Sequence, residues 1–269
     1  MTNAFTKFNI EHLSPSQLNT FSASPAMWVL ERLLGHKQTA GAPMIAGKAA
    51  ESGVVTGLFE PTLEAEGCIE IAQAAFASEL LQTKFANGGG GDPRTEKYIA
   101  ALPGMVKQGL SLLRPFGVPS STQGRVEYQP EGLAVPIIGI YDLMYDDRGW
   151  VVDIKTSLRM PVKDSSSSDE NAVKIKLTHA RQVSFYKHCI SDNLDGHIAY
   201  LTDKRSGLFP ISDTRLHRDA LVQIAKIMQR FLSLSDDRHE LAALVCPDYE
   251  SFYFDDKRAR RAALNTWGF

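Results

Sequence analysis

Apolar positions recur along this chain with two different periods, and the change of period divides it. Up to about residue 117 the period is that of a helix. Ser14-Pro15-Ser16-Gln17 sets an N-cap serine before a proline at the first helical position, with Gln at the third. Ser24-Pro25 repeats the device, and the apolar run that follows ends at Gly35. Ala50, Val54 and Leu58 are spaced by four and predict a packed face on a helix over 46–58. Helices are also predicted over 64–85 and 96–113. Between them, residues 87–93 read Asn-Gly-Gly-Gly-Gly-Asp-Pro, a run that no regular element holds.

From Val118 onward β-branched and aromatic residues take over. Strands are predicted over 124–129, 135–145 and 150–154, separated by Pro-Glu-Gly and Asp-Asp-Arg-Gly, which reads as an antiparallel meander. The polar run Ser165-Ser166-Ser167-Ser168-Asp169-Glu170 predicts a flexible loop. A helix over 178–190, strands over 197–202 and 208–211, and an amphipathic helix over 219–234 follow. The last segment, from Asp255, opens with basic residues. No internal repeat is present. The order predicts one α/β domain: a mostly helical part at 1–117, a sheet with its helix at 118–212, and a C-terminal helix with a basic tail at 213–269.

Composition narrows the class. The chain has 269 residues, 43% hydrophobic and 22% charged, with 31 acidic and 29 basic residues and a formal net charge of -2. That fraction of apolar residues and that small net charge exclude dominant disorder. No apolar run approaches the ~18 residues of a membrane-spanning helix. The opening MTNAFTKFNIEHLS lacks the order of a secretory signal, so the expectation is a soluble cytoplasmic protein with no membrane partner. Cys68, Cys189 and Cys246 are odd in number and widely spaced, which gives no disulfide framework and no zinc pattern. The near-zero charge does not by itself advertise nucleic acid.

Three adjacent pieces carry candidate chemistry. Gly139-Ile140-Tyr141-Asp142 lies in the second predicted strand, Val151-Val152-Asp153-Ile154-Lys155-Thr156 on the third, and His179-Ala180-Arg181-Gln182-Val183-Ser184-Phe185-Tyr186 on the next helix. Paired across the turn at 146–149, the carboxylates of Asp142 and Asp153 can point into one cleft. Asp153 and Lys155 are two apart and share a strand face, with the alternating apolar residues directed to the core. Two carboxylates and the Ile154 carbonyl make an oxygen-only site suited to Mg2+ or Mn2+. Such an ion lowers the pKa of a water and neutralises charge on a phosphate, and a lysine beside it can orient that water. Phosphodiester hydrolysis uses all of these groups at once.

Asp142, then Asp153-Ile154-Lys155 eleven positions on, resembles the motif of the PD-(D/E)XK nuclease superfamily. Gln182 and Tyr186, four apart on one helix, resemble the Q-x-x-x-Y motif of its RecB-like exonuclease branch, as does the opening Leu13-Ser14-Pro15-Ser16-Gln17-Leu18 with Phe21 and Pro25. The resemblance spans roughly 13–200 in scattered short motifs and implies a restriction-endonuclease-like α/β core, a mixed sheet flanked by helices. It implies catalytic roles for Asp142, Asp153 and Lys155. Glu51 stands where the branch carries a G-x-x-x-H histidine ligand, so the metal set implied is Glu51, Asp142, Asp153 and Ile154. Gln182 and Tyr186 would hold the substrate strand, with His179 and Arg181 on the same helix as further DNA contacts, although a surface position is the ordinary fate of such a histidine. Glu127 is a further candidate for an outer or structural carboxylate. The iron–sulfur members carry one N-terminal and three C-terminal cysteines, which this chain lacks, so no cluster is expected. A helicase P-loop is absent as well.

An acid-x-Lys triplet alone is a weak signal, and a second one, Asp255-Asp256-Lys257, reads as surface. A carboxylate midway along an apolar strand is harder to dismiss, because burying it unpaired is costly. Seven basic against four acidic residues lie between Asp153 and Lys187, and Lys257, Arg258, Arg260 and Arg261 form a second basic group. Such groups can hold a nucleic-acid backbone without reading sequence, though solvated surface is the commoner fate of each. The expected function is a divalent-metal-dependent DNA exonuclease of the stand-alone type, in recombination, repair or phage replication in a bacterial or phage-infected cell. The expected partners are DNA and a single-strand annealing or recombination protein, with a homo-oligomer left open by ring-forming relatives. The alternatives are a catalytically inactive DNA-binding protein with the same fold and a metal-dependent phosphodiesterase of small substrates.

Overall fold

The computed structural model describes residues 3–36, 40–86, 92–165 and 173–269. The glycine run at 88–91 and most of the serine-rich run, from residue 166 on, lie outside them. The helical first part is α1 (Pro15–Ala23), α2 (Pro25–Arg32), α3 (Ala42–Phe59), α4 (Ala65–Ala86) and α5 (Thr95–Leu113). The first two begin as their serines dictate: Ser14 Oγ accepts from the Gln17 N–H at 3.3 Å and Ser24 Oγ from that of Met27 at 3.4 Å.

Among the described residues five strands follow: β1 (Ser121–Tyr128), β2 (Ile137–Tyr145), β3 (Trp150–Thr156), β4 (Asp195–Leu201) and β5 (Ser206–Pro210). They form one sheet in the order β1-β2-β3-β4-β5. The first three are an antiparallel meander and β5 is antiparallel to β4. Between β3 and β4 the chain crosses through α6 (Leu177–Ile190), so that pair is parallel. The sheet is therefore mixed and flanked by helices, as the restriction-endonuclease-like fold requires. After it come α7 (Thr214–Leu232), α8 (Arg238–Ala242) and α9 (Lys257–Trp267).

Both faces of the sheet are covered, and the period of two in the strands divides the core. Leu143, Tyr145, Val152, Ile154, Ala199 and Leu201 pack with α3, α4 and α5. Met144, Val151, Ile198 and Tyr200 join residues of α1, α6 and α7 on the other face. A smaller cluster joins Met27 and Leu30 of α2 to Phe254, Ala259 and Ala263. The basic C-terminal segment is thus a docked helix. Asp256 caps it, accepting from the Arg258 and Ala259 N–H groups at 2.8 and 2.9 Å, which gives the second acid-x-Lys triplet a structural role. Arg260 lies over the Tyr249 ring. No helix among the described residues is long and apolar enough to cross a membrane.

Candidate active site

The hairpin β2–β3 is paired at one end and open at the other. Tyr145 pairs with Trp150, Met144 with Val151 and Leu143 with Val152, and the ladder stops there. The next residue on each strand is a carboxylate: Asp142 on β2, Asp153 on β3. Beyond that point β3 keeps its other neighbour, with Asp153, Ile154 and Lys155 opposite Ile198, Ala199 and Tyr200 of β4. The Ile154 N–H does not return to the β2 backbone; it donates to Asp142 Oδ2 at 2.7 Å. A strand end that breaks its ladder in this way opens a wedge, and Asp142 is pinned in it by a charge-assisted hydrogen bond.

The other flank of β2 is irregular at the same level. Gln123 stands between the pairs Thr122–Leu143 and Gly124–Tyr141, at a φ of 52° that side chains rarely adopt. Its Nε2 donates to the carboxylate of Glu51 on α3. Thr122 Oγ1 donates to the Asp142 carbonyl at 2.7 Å. Gln123 was not foreseen as a site residue, although the adjacent Gly124 inside a strand is the mark of such an irregularity.

Asp153 is 1% exposed. The Lys155 ammonium stands 2.6 Å from its Oδ2, yet neither Asp153 oxygen has a well-aligned hydrogen-bond donor. Asp153 is thus buried in the wedge, with Asp142 half-buried beside it. Burial raises the pKa of Asp142 well above the ordinary carboxylate range, and the charges of Asp153 and Glu51 push it further. Glu51 is raised by burial and by Asp153, with Lys155 and Gln123 opposing. Asp153 is raised by burial against the pull of Lys155. For Lys155 burial acts downward, but the three carboxylates outweigh it and hold the ammonium charged.

With every group ionised this cluster holds three carboxylates and one ammonium, a net charge of -2. That is the charge a divalent cation neutralises, the donors are all oxygens suited to Mg2+ or Mn2+, and the Asp153 oxygens lack aligned donors. The residues fit the ion. They are not drawn together into a finished cage: among the described residues no three His, Cys, Asp or Glu side chains form a ligand group, and Glu51 is turned to Gln123.

Helix α6 closes the wedge. A Cβ on Gly139 would lie 2.4 Å from Tyr186 Cε1, so only glycine lets the tyrosine ring lie against β2. Gln182 Nε2 donates to the Tyr186 hydroxyl at 2.5 Å. Burial raises the phenol pKa, and the Asp153 charge adds to it, which keeps the hydroxyl protonated. His179 is half-buried. Its Nδ1 is 2.9 Å from the hydroxyl of Tyr200, which is opposite Lys155 in the parallel register. Burial, with the Lys155 and Lys176 charges, pushes its pKa down to about 3. Neutral at physiological pH, it shares with Tyr200 the neighbourhood of the lysine. Arg181 turns instead toward α1, with Nη1 3.5 Å from Asn19 Oδ1, and Asn19 Nδ2 donates to the Thr178 carbonyl at 3.0 Å.

The structure thus brings Glu51, Asp142, Asp153, Ile154, Lys155, Gln182, Tyr186 and His179 to one neighbourhood. It does not bring Glu127, which is exposed four residues along β1 from Gln123, about 13 Å of strand, and pairs with Arg125 at 2.5 Å.

Among solved structures, one titled "Crystal structure of SSO0001" aligns over 82% of this chain and 94% of its own length, at 16% identity and a TM-score of 0.31. No curated protein matches significantly. The model of the PD-(D/E)XK nuclease superfamily matches residues 12–252, a span that holds the wedge, its lysine and the α6 tyrosine. The chain belongs to the PD-(D/E)XK nuclease superfamily.

Proposed function

We propose that this member of a metal-dependent nuclease superfamily is a DNA exonuclease and that the open end of β2–β3 is its catalytic centre. The observation that carries the reading is the wedge itself. Two acidic side chains and a charged lysine meet where the ladder stops, and the buried Asp153 lacks an aligned donor. Asp142, Asp153, the Ile154 carbonyl and Glu51 are the proposed ligands of Mg2+ or Mn2+. When bound, the ion neutralises charge on the scissile phosphate and acidifies water.

The chain's own groups have separate tasks. Asp142 is oriented by the Ile154 N–H. Lys155, kept protonated by three carboxylates, donates to the attacking water or to a phosphate oxygen as negative charge builds there. Glu51 must release Gln123 to reach the site, and Gln123 is then a free amide donor beside it. Gln182 and Tyr186 supply neutral donors along the strand being cut. His179, uncharged and bonded to Tyr200, braces the lysine side of the wedge.

The exonuclease assignment, and a place in recombination or repair beside a strand-annealing partner, rest on the likeness of the 13–25 segment and the Gln182/Tyr186 helix to the RecB-like branch. The test is digestion of labelled linear and circular DNA with Mg2+ or Mn2+, with and without chelator. Stepwise loss of nucleotides from linear DNA only, abolished by chelator, is the expected result. Cutting of circles makes the enzyme an endonuclease, and binding without cutting under every condition leaves a DNA-binding protein on the nuclease fold.

A further inference from the structure

The far side of α6, turned away from the wedge, holds a second polar centre that the catalytic reading does not use. A cavity of about 360 Å³ lies between α6 and the start of α7. Its lining includes Ser184, Lys187 and His188 from α6 and Thr214, Arg215 and Arg218 from α7, with Asp192 as the one acidic lining residue. Ser184 is fully buried, and its hydroxyl has no hydrogen-bond partner. A buried hydroxyl left unpaired on the wall of a cavity is a cost that a ligand acceptor would remove.

Basic side chains outnumber acidic ones in the rest of the lining. α7 begins at Asp213, whose side chain makes no cap hydrogen bond, so the first N–H groups of the helix lack a side-chain acceptor although the Asp213 carboxylate offsets part of the positive dipole end. The Arg218 side chain is 16% exposed, and its Nη1 is 2.9 and 2.6 Å from the two ring nitrogens of His188. Asp219 holds the opposite edge of that guanidinium at 2.5 Å. Lys187 Nζ donates to the Asp192 carbonyl at 2.8 Å. The Asp192 carboxylate is 80% exposed and bound to His188 Nδ1 at 2.9 Å, at the solvent side of the cluster. Lys187, Arg215 and Arg218, set against the exposed Asp192 and the Asp219 that pairs with Arg218, form with a helix start and an orphan hydroxyl a receptor for a tetrahedral oxyanion.

We propose that this cavity is a phosphate-binding site, separate from the catalytic wedge, that takes a phosphoryl group of a nucleotide or of a nucleic-acid backbone. Arg218 and Lys187 supply the charge, the first turn of α7 supplies backbone donors, and Ser184 donates from the floor. α6 then serves two sites from opposite faces, with Gln182 and Tyr186 toward the wedge and Ser184 and Lys187 toward the cavity. The proposal goes beyond the nuclease reading and stands without it, because it concerns binding alone.

The test uses the full chain carrying Asp153→Asn, so that the wedge does not cut, and the cavity variants below separate binding at the cavity from binding at the wedge. Inorganic phosphate, a deoxynucleoside monophosphate and a short single strand without terminal phosphates are each titrated by calorimetry, with chloride matched for ionic strength. Arg218→Gln combined with Lys187→Gln is expected to weaken phosphate binding about tenfold or more, and Ser184→Ala about threefold. Thermal melting in the absence of phosphate verifies that each variant is folded, and Ser184→Ala, the mildest change, keeps the test open if the double variant is not. Competition between the strand and phosphate identifies a backbone site, and binding of the monophosphate alone identifies a nucleotide or strand-end site. Absence of phosphate binding beyond the chloride control, or binding unchanged in both variants, overturns the proposal.

Discussion

The two ends of the β2–β3 hairpin are built from neighbouring residues to opposite purposes. At the turn end, Leu143, Tyr145, Val151 and Val152 are all fully buried, and their backbones close three ladder pairs. One residue further the strands part, and Asp142 and Asp153 occupy the gap. The first end is apolar core apart from the unpartnered Tyr145 hydroxyl, while the second sets like charges side by side and buries Asp153. A fold tolerates such a region where the strain has a use, and here the closed end holds the open end in register. On the proposed function, the difference separates residues that make the protein stable from residues that make it act.

The largest expected effect is on activity. Asp153→Asn should lower the rate of DNA cleavage about a thousandfold, the scale of several kcal/mol of lost charge stabilisation, without lowering the melting temperature of the metal-free protein. Cleavage assays and calorimetric melting of one preparation measure both. A variant that loses stability and keeps its activity would erase the contrast between the two ends.

Leu143→Ala should do the reverse. It empties a fully buried position and should cost about 2–5 kcal/mol of stability in denaturant titration, with cleavage per folded molecule within a few-fold of wild type. Gly139→Ala, on β2 beyond the open end, should combine the two effects. Its methyl group meets the Tyr186 ring, so about 1–3 kcal/mol should be lost, and the displaced Gln182–Tyr186 pair should raise KM for DNA more than it lowers kcat.

A smaller and more specific effect is the dependence of stability on pH. Asp142 and Glu51 have pKa values raised in the folded protein, chiefly by burial, above those of the unfolded chain. The folded state therefore holds these protons more tightly. The stability they contribute is complete below the ordinary carboxylate range and is lost as pH rises through their raised values. The metal-free protein should lose this contribution on going from acid toward neutral pH, and Asp142→Asn should flatten the slope. Mn2+ should restore stability at neutral pH and do little at acid pH, where the carboxylates are protonated.

Most of the scaffold was legible because its signals are local. The serine caps at 14 and 24, the four-residue spacing on α3 and the meander of β1 to β3 fall where the pattern placed them, within a few residues at the ends. α9 was missed because the side chains that dock it, Ala259 and Ala263, are too small to stand out among its arginines. In the candidate site, Asp142, Asp153 and Lys155 were legible from spacing along two adjacent strands. The half-buried setting of His179 was not legible, because its partner, Tyr200, lies on β4, which only the parallel crossover brings beside Lys155. Gln123 was invisible for a similar reason: its contact with Glu51 joins an irregular strand to a helix 72 positions away.

The most direct test of the account is a calorimetric titration of Mn2+ into the protein near neutral pH, with wild type, Asp142→Asn and Asp153→Asn side by side. Wild type should bind the ion with release of protons from the raised carboxylates, and each variant should bind at least about tenfold more weakly. Equal affinity in all three proteins would show that the open end of the hairpin is not where the cation is held.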